Sequence, residues 1–354
     1  MQPVTVIGAG IAGIAAALAL RARGCEVRVL ERATALREVG AGLQISPNGY
    51  RVLSALGLGA QIGRVSRPNH AVVLADGPTG AEVVRMPLDG PFRLIARPAL
   101  IDVLADAAQA AGIEIAFAQA VEAPPEGLVL GADGLHSVVR SVLNGADRPF
   151  FTKQVAWRAT IEGERPEEAR VDMGPGRHLV RYPLPDGRVN LVGVEERADW
   201  AAEGWHTAGD PDAFRAAFAE FPDARADLDR VEACALWGLF RHPIAERWQD
   251  GRLAILGDAA HPTLPFLAQG ANLALEDAWT VAAAVEAGDL PCWEAARKPR
   301  VRRAIEAANA NARNYHLRGA RRIVAHGVLR VIGRTAPHAL PARFRWLYDH
   351  DVTA

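Results

Sequence analysis

The chain has 354 residues, half of them hydrophobic, and its 40 Lys and Arg against 41 Asp and Glu leave a formal net charge of -1. That length exceeds what one hydrophobic core usually carries, so two interleaved domains are expected. The near-zero charge argues against a nucleic-acid partner or an acidic membrane surface. Three scattered cysteines (Cys25, Cys234, Cys292) without C-x-x-C spacing indicate neither disulfides nor a zinc or other metal site. A β-rich run begins at Pro3, where a signal peptide would lie, and the longest apolar stretch, Ile11 to Leu20, is too short to span a bilayer. A cytoplasmic protein without membrane insertion is expected.

Pro3 to Ile7 reads as a strand, Gly8-Ala-Gly10-Ile-Ala-Gly13 follows without a gap, and Ile14 to Arg23 is an alanine- and leucine-rich helix. Cys25 to Leu30 then reads as the returning strand, ending on Glu31. In such a βαβ unit Gly8, Gly10 and Gly13 permit a tight turn, close approach of backbone to a pyrophosphate, and close helix-strand packing. The acid after the second strand accepts from a ribose hydroxyl. Glu31 repels a 2′-phosphate, so the dinucleotide is FAD or NAD and not NADP. Arg32 is a solvated charge or an adenine-side contact.

Arg67 to Leu88 reads as hairpin strands, and Arg97 to Ala111 as a helix returning to the first lobe. Gly127 to Arg140 repeats the order of strand, turn and helix around Gly131-Ala-Asp133-Gly134, a unit that an NAD dehydrogenase does not need. Alternating runs at 154–161, 178–182, 189–194 and 234–240 make a second sheet, with a helix near Pro211 to Glu220. Leu253 to Leu256 is a buried strand stopped by Gly257-Asp258, and a new helix opens at Gln269-Gly270-Ala271-Asn272. Asp258 there suits a polyhydroxyl chain, and free N–H groups near Gly270, Asn272 and Leu273 suit a partly anionic ring. Flavin has both parts. The remainder is mostly helical, with breaks expected at Pro291, Pro299 and Pro337, and the basic run Arg297 to Arg303 reads as a solvated helix face.

With these motifs in order, the chain resembles the group A flavoprotein monooxygenases, the aromatic hydroxylases typified by salicylate and p-hydroxybenzoate hydroxylase. The resemblance rests on Gly8 to Gly13, Arg37 to Asn48, Arg97-Pro-Ala-Leu100, Gly131 to Arg140, Gly257-Asp258 and Arg345-Trp-Leu-Tyr348, and it spans almost the whole chain. It implies an α/β fold: a Rossmann-like FAD-binding domain (1–66, 90–150 and 249–330), a mixed β-sheet substrate domain (67–89 and 151–248) and a helical C-terminal extension (331–354). Relatives usually carry a β-meander where only seven residues lie between Ala120 and Leu128.

The same resemblance implies that Glu31 holds the adenosine ribose, that Arg97 sits near the ribityl or pyrophosphate portion, and that Asp258 binds the ribityl chain. Arg32 and Arg37 join the cofactor set, and Asp133 belongs to a segment used for both FAD and the pyridine nucleotide. Pro265 and the backbone after Gln269 line the flavin's reactive face. NADH or NADPH, the electron donor, is expected to dock transiently near Asp133 and Arg140.

Side chains cannot make the electrophilic oxygen that arene hydroxylation needs, and the resemblance implies that a reduced flavin supplies it as the C4a-hydroperoxide. The protein must position a small phenol or aromatic acid and remove its proton. Strand alternation puts His178, Val180 and Tyr182 on one face. In hydroxybenzoate-type relatives a His and a Tyr at this separation contact the substrate phenol, which makes His178 the expected base and Tyr182 an orienting donor. An edge-strand His178 satisfied by solvent is the alternative. Gln269 is a candidate donor to substrate or flavin, and His261 reads as a structural turn residue. A quinone-precursor or polycyclic hydroxylase shares every motif, and an NAD-dependent dehydrogenase is the alternative of another class. The expected state is a monomer or homodimer.

Overall fold

The computed structural model describes residues 3–36, 42–200 and 208–354. Arg37 lies outside the described residues. The apolar run Val4–Ile7 is buried throughout and forms the centre of a five-stranded parallel sheet in the order Leu253–Ile255, Leu128–Gly131, Val4–Ile7, Val27–Leu30, Glu114–Ala116. Helix Ile11–Ala22 crosses between the first two strands in sequence. Its alanines at 15, 16, 17 and 19 are fully buried, and their small side chains let it pack closely on helix Gly270–Ala287.

A second sheet has eight strands in the order Ala208–Gly209, Cys234–Arg241, Phe150–Glu162, Arg188–Glu196, Arg177–Pro183, Ala169–Gly174, Ala71–Asp76, Glu82–Pro87. All four expected runs are strands of it. Ala169–Gly174 was not among them, because its mixed sequence lacks clean alternation. Asp172 reads as polar yet is buried against the equally buried Arg181 at 2.7 Å. Ser66–Pro68 also departs from expectation: it leaves the hairpin and pairs with Arg93–Ala96, which pairs with Gly42–Ile45 in a three-stranded sheet.

The late helices correct two expectations. Leu290–Tyr315 runs without interruption through Pro299. The break at Pro291 is present: helix Gly270–Ala287 has ended, and Pro291 sits in the first turn of the next helix, where a missing N–H costs nothing. The basic run is a solvated face only in part, at Arg302 and Arg303. Arg297 is buried on Glu276 and Asp277 at 2.6 and 2.8 Å, and Arg300 reaches Glu276 at 2.7 Å. These ion pairs pin both sides of Pro299 to helix Gly270–Ala287. The break at Pro337 is present, between helices Gly319–Thr335 and Ala339–Ala342. Among the described residues, no helix is long and apolar enough to cross a membrane.

Candidate active site

Ligands of open parallel sheets bind beyond the carboxyl ends of the strands. Here that edge carries Gly8, Ala132 and Asp258, each following one of three adjacent strands. A cavity of about 400 Å³ opens between it and one face of the eight-stranded sheet. Gly10, Arg97, Ala132, Gly134, Asp258, Pro265 and Gly270 line one side, and Arg158, His178, Val180 and Tyr182 line the other.

The three fingerprint glycines do different work. Gly8 has φ +96°, in the region that favours glycine. A Cβ on Gly13 would stand 1.8 Å from Gly8 O, whereas one on Gly10 would meet nothing within 4 Å, because Gly10 faces the open cavity. Glu31 ends the second strand and accepts from the Ala9 N–H at 2.7 Å and the Ala33 N–H at 2.8 Å, which ties it to the glycine turn. Arg32 beside it is exposed.

Asp258 projects from buried backbone into the cavity, so its carboxylate meets cavity solvent while protein encloses it. Burial raises its pKa, and Arg97 and His261 pull in the other direction. Arg97 occupies the first turn of helix Arg97–Ala110 and also lines the cavity. His261 does the structural job expected of it. It is buried and its Nε2 lies 2.5 Å from Asp277 Oδ2.

Helix Gly270–Ala287 points its start at the cavity through Gly270 and Ala271. Leu273 does not offer a free N–H, because that group donates to Gln269 O at 2.8 Å as the helix's first internal bond, and its side chain is core. Only the N–H groups of residues 270 to 272 lie ahead of it. Asn272 spends its side chain on the backbone: it donates to Gln44 O and Ala268 O and accepts from the Ser46 N–H. Ala268 needs that support, since its φ of +51° is strained by about 1 to 3 kcal/mol for a residue other than glycine.

Two further candidates turn away from the cavity. The Gln269 amide is buried, donates to Ser46 Oγ at 3.0 Å and accepts from Asn48 Nδ2 at 3.2 Å. Asp133 accepts from Ser137 Oγ at 2.5 Å and from the Val138 N–H at 2.8 Å. It thus caps the following helix while its neighbours Ala132 and Gly134 line the wall. Arg140 is buried as well, bonded to Asp147 and to the carbonyls of Ala259 and Pro243, and cannot receive a docking nucleotide.

On the sheet side, strand register puts Arg158 opposite Val192 and Val192 opposite Val180. His178, Val180 and Tyr182 share the cavity face, as alternation requires. Both polar residues are buried, so His178 is not an edge residue bathed in solvent. Its ring lies among Phe266, Tyr315 and His316, with Nδ1 at 2.7 Å from His316 Nε2. Burial, and then His316, hold its pKa well below the ordinary imidazole value. Burial raises the Tyr182 pKa against the pull of Arg158, which keeps the phenol protonated as a donor.

Sequence reasoning missed Arg158 and the C-terminal contribution to the wall, Asn311, Tyr315, Pro341, Phe344 and Tyr348. The quoted Arg345-Trp-Leu-Tyr348 was the available signal for the last of these.

The residues present fit FAD. An open backbone cradle at Gly10, an acid tied to the turn, a cavity carboxylate beside an arginine, and a helix start form one continuous wall. These define an FAD-binding protein of the dinucleotide-turn class. The family described as "FAD binding domain" matches residues 1–128 and 126–290. A 3-amino-4-hydroxybenzoate 2-monooxygenase of Streptomyces cremeus is 35% identical, over 89% of this chain and 88% of its own length. A 3-hydroxybenzoate 6-hydroxylase of Polaromonas naphthalenivorans is 33% identical, over 99% and 96%. A salicylate hydroxylase solved with its substrate shares the fold, with a TM-score of 0.84 at 21% identity over 99% of this chain and 96% of that one. The chain belongs to the group A flavoprotein monooxygenases. It is an FAD-dependent aromatic monooxygenase, which disposes of the NAD-dependent dehydrogenase.

Proposed function

We propose that the substrate is a small aromatic acid bearing a phenol, of the hydroxybenzoate kind, hydroxylated with NADH or NADPH and oxygen in the cytoplasm by a monomer or homodimer. One observation carries this reading. Among the described residues, the sheet face over the cavity is Val72, Met86, Ala169, Val171, Val180, Val192 and Val194, interrupted by Arg158, His178 and Tyr182. Arg158 and Val180 are two strand spacings apart, about 10 Å, and His178 lies two residues further along the Val180 strand, roughly 12 Å from Arg158 between backbones, which leaves room for one substituted ring between a cation and a neutral base. The names of the two hydroxybenzoate-acting relatives support the same class.

FAD supplies the activated oxygen, and the chain's own residues do the rest. Arg158 holds the carboxylate, Tyr182 donates a hydrogen bond, and His178 accepts the phenolic proton at the nitrogen that His316 leaves for the cavity. The aliphatic face excludes water from the ring. The test is NAD(P)H oxidation with 3-hydroxybenzoate, 3-amino-4-hydroxybenzoate and unsubstituted benzoate, with oxygen uptake and mass analysis of products. A phenolic acid should stimulate turnover and gain one oxygen. Failure of every phenolic acid, with turnover on a neutral arene, would overturn the reading.

A further inference from the structure

His178 does not stand alone. Its Nδ1 lies 2.7 Å from Nε2 of His316, and Nδ1 of His316 lies 3.0 Å from Oε1 of Glu196. The three residues come from strand Arg177–Pro183, from the position after helix Leu290–Tyr315, and from the end of strand Arg188–Glu196. Both imidazoles are buried, while the Glu196 side chain is 44% exposed, so the row runs from the cavity to solvent.

Its protonation is fixed from the outer end. A carboxylate only accepts, so the His316 hydrogen is on Nδ1 and the lone pair of the neutral ring is on Nε2. That lone pair requires a hydrogen on His178 Nδ1, which leaves His178 Nε2 as an acceptor facing the cavity. Neutral rings are what this environment favours. Burial lowers the His316 pKa against the pull of Glu196, and Arg318 and Arg177 lower it further. The other neighbours of His178 are the rings of Phe266 and Tyr315, and burial pushes Tyr315 up to about 12. No carboxylate among them favours an imidazolium, and a proton left on His178 would be a poorly compensated buried charge.

We propose that His178, His316 and Glu196 form a proton relay that carries the substrate's phenolic proton from the cavity to solvent. His316 and Glu196 act through His178 and are positioning residues. The proposal rests on the phenolic-acid reading above. The phenol O–H bond breaks as its proton bonds to His178 Nε2. The Nδ1 hydrogen of His178 passes to His316 Nε2, and the Nδ1 hydrogen of His316 passes to Glu196 Oε1. Each electron pair stays on the atom the proton leaves. The phenolate is the new anion, Glu196 becomes neutral until it releases the proton to water, and both rings end neutral with their tautomers exchanged. Return of a proton to the product oxygen runs the row backwards and restores them.

The FAD-loaded enzyme is mixed with 3-hydroxybenzoate in weak buffer containing an indicator dye, and binding is followed in the flavin spectrum. Wild type should release a proton as it binds. His316→Gln and Glu196→Gln keep hydrogen-bonding groups but cannot pass the proton on, and should slow release by about tenfold or more while leaving the affinity for benzoate unchanged. Release at the wild-type rate in both variants, or wild-type binding without release, overturns the relay. Nitrogen-15 resonances of the two imidazoles in the ligand-free enzyme test the relay independently of substrate. Both should show Nδ1–H tautomers, and a hydrogen on His178 Nε2 overturns the relay. A wild type that binds no hydroxybenzoate sinks the substrate reading instead, and the tautomers still decide the relay.

Discussion

Gly13 lies so close to Gly8 that a methyl group on its α-carbon would stand 1.8 Å from the Gly8 carbonyl oxygen. Gly10, between them, faces empty space and has φ -77° and ψ -174°, which alanine adopts freely. The two substitutions should therefore separate folding from cofactor binding. Gly13→Ala should destabilise the protein by about 3 kcal/mol or more through overpacking. Gly10→Ala should change apoprotein stability by no more than about 0.5 kcal/mol and still lower FAD affinity. Thermal melts of the apoprotein and a flavin-fluorescence titration check both, and a Gly10→Ala protein that binds FAD like wild type would remove Gly10 from the pyrophosphate cradle.

Asp258 projects into the cavity and supports no core contact, so Asp258→Ala should leave the apoprotein's melting temperature in place. Loss of charge-assisted hydrogen bonds should weaken FAD retention by about 1.5 to 3 kcal/mol, roughly ten- to more than a hundredfold in Kd. Dialysis against flavin-free buffer, followed by absorbance, measures it. Unchanged retention takes Asp258 out of the cofactor site.

His178→Ala should keep FAD and still consume NAD(P)H while diverting electrons to hydrogen peroxide. Removing a general base typically costs about 10²- to 10⁴-fold in the step it serves. The quantity to compare is product formed per nucleotide oxidised, on one phenolic acid. An unchanged ratio at unchanged turnover would assign proton removal to some other group.

Acid should act through Asp277. Its burial opposes ionisation, but His261, Arg297 and the Gly257 N–H outweigh that and hold the carboxyl at about 2, below its ordinary 3.8. A depressed folded value stabilises the fold above the unfolded pKa, and that stability is lost as pH falls from about 4 through 2. The contribution is on the order of 2 kcal/mol. Asp277→Asn should flatten the fall of the urea midpoint between pH 5 and 2.5, and an identical slope in both proteins would refute this assignment.

What was readable from sequence was what local chain geometry enforces. A turn that only glycine can make, alternation on strand 177–183, and an acid at a strand end are all visible within a few residues of themselves. The jobs of Gln269 and Asn272 are settled by Ser46, Asn48 and Gln44, more than 200 positions earlier in the chain, and no periodicity reports such pairs. Arg297 and Arg300 look like surface charge because their acids lie in another helix. His316 gives no signal at all until the fold sets it between His178 and Glu196.

Tyr348 and Gly10 stand on the wall of one cavity. Phe344 joins them there, although the nucleotide turn lies far away along the chain. No single stretch of sequence can therefore enclose the cavity: its walls come together only when segments far apart in the chain have folded onto one another.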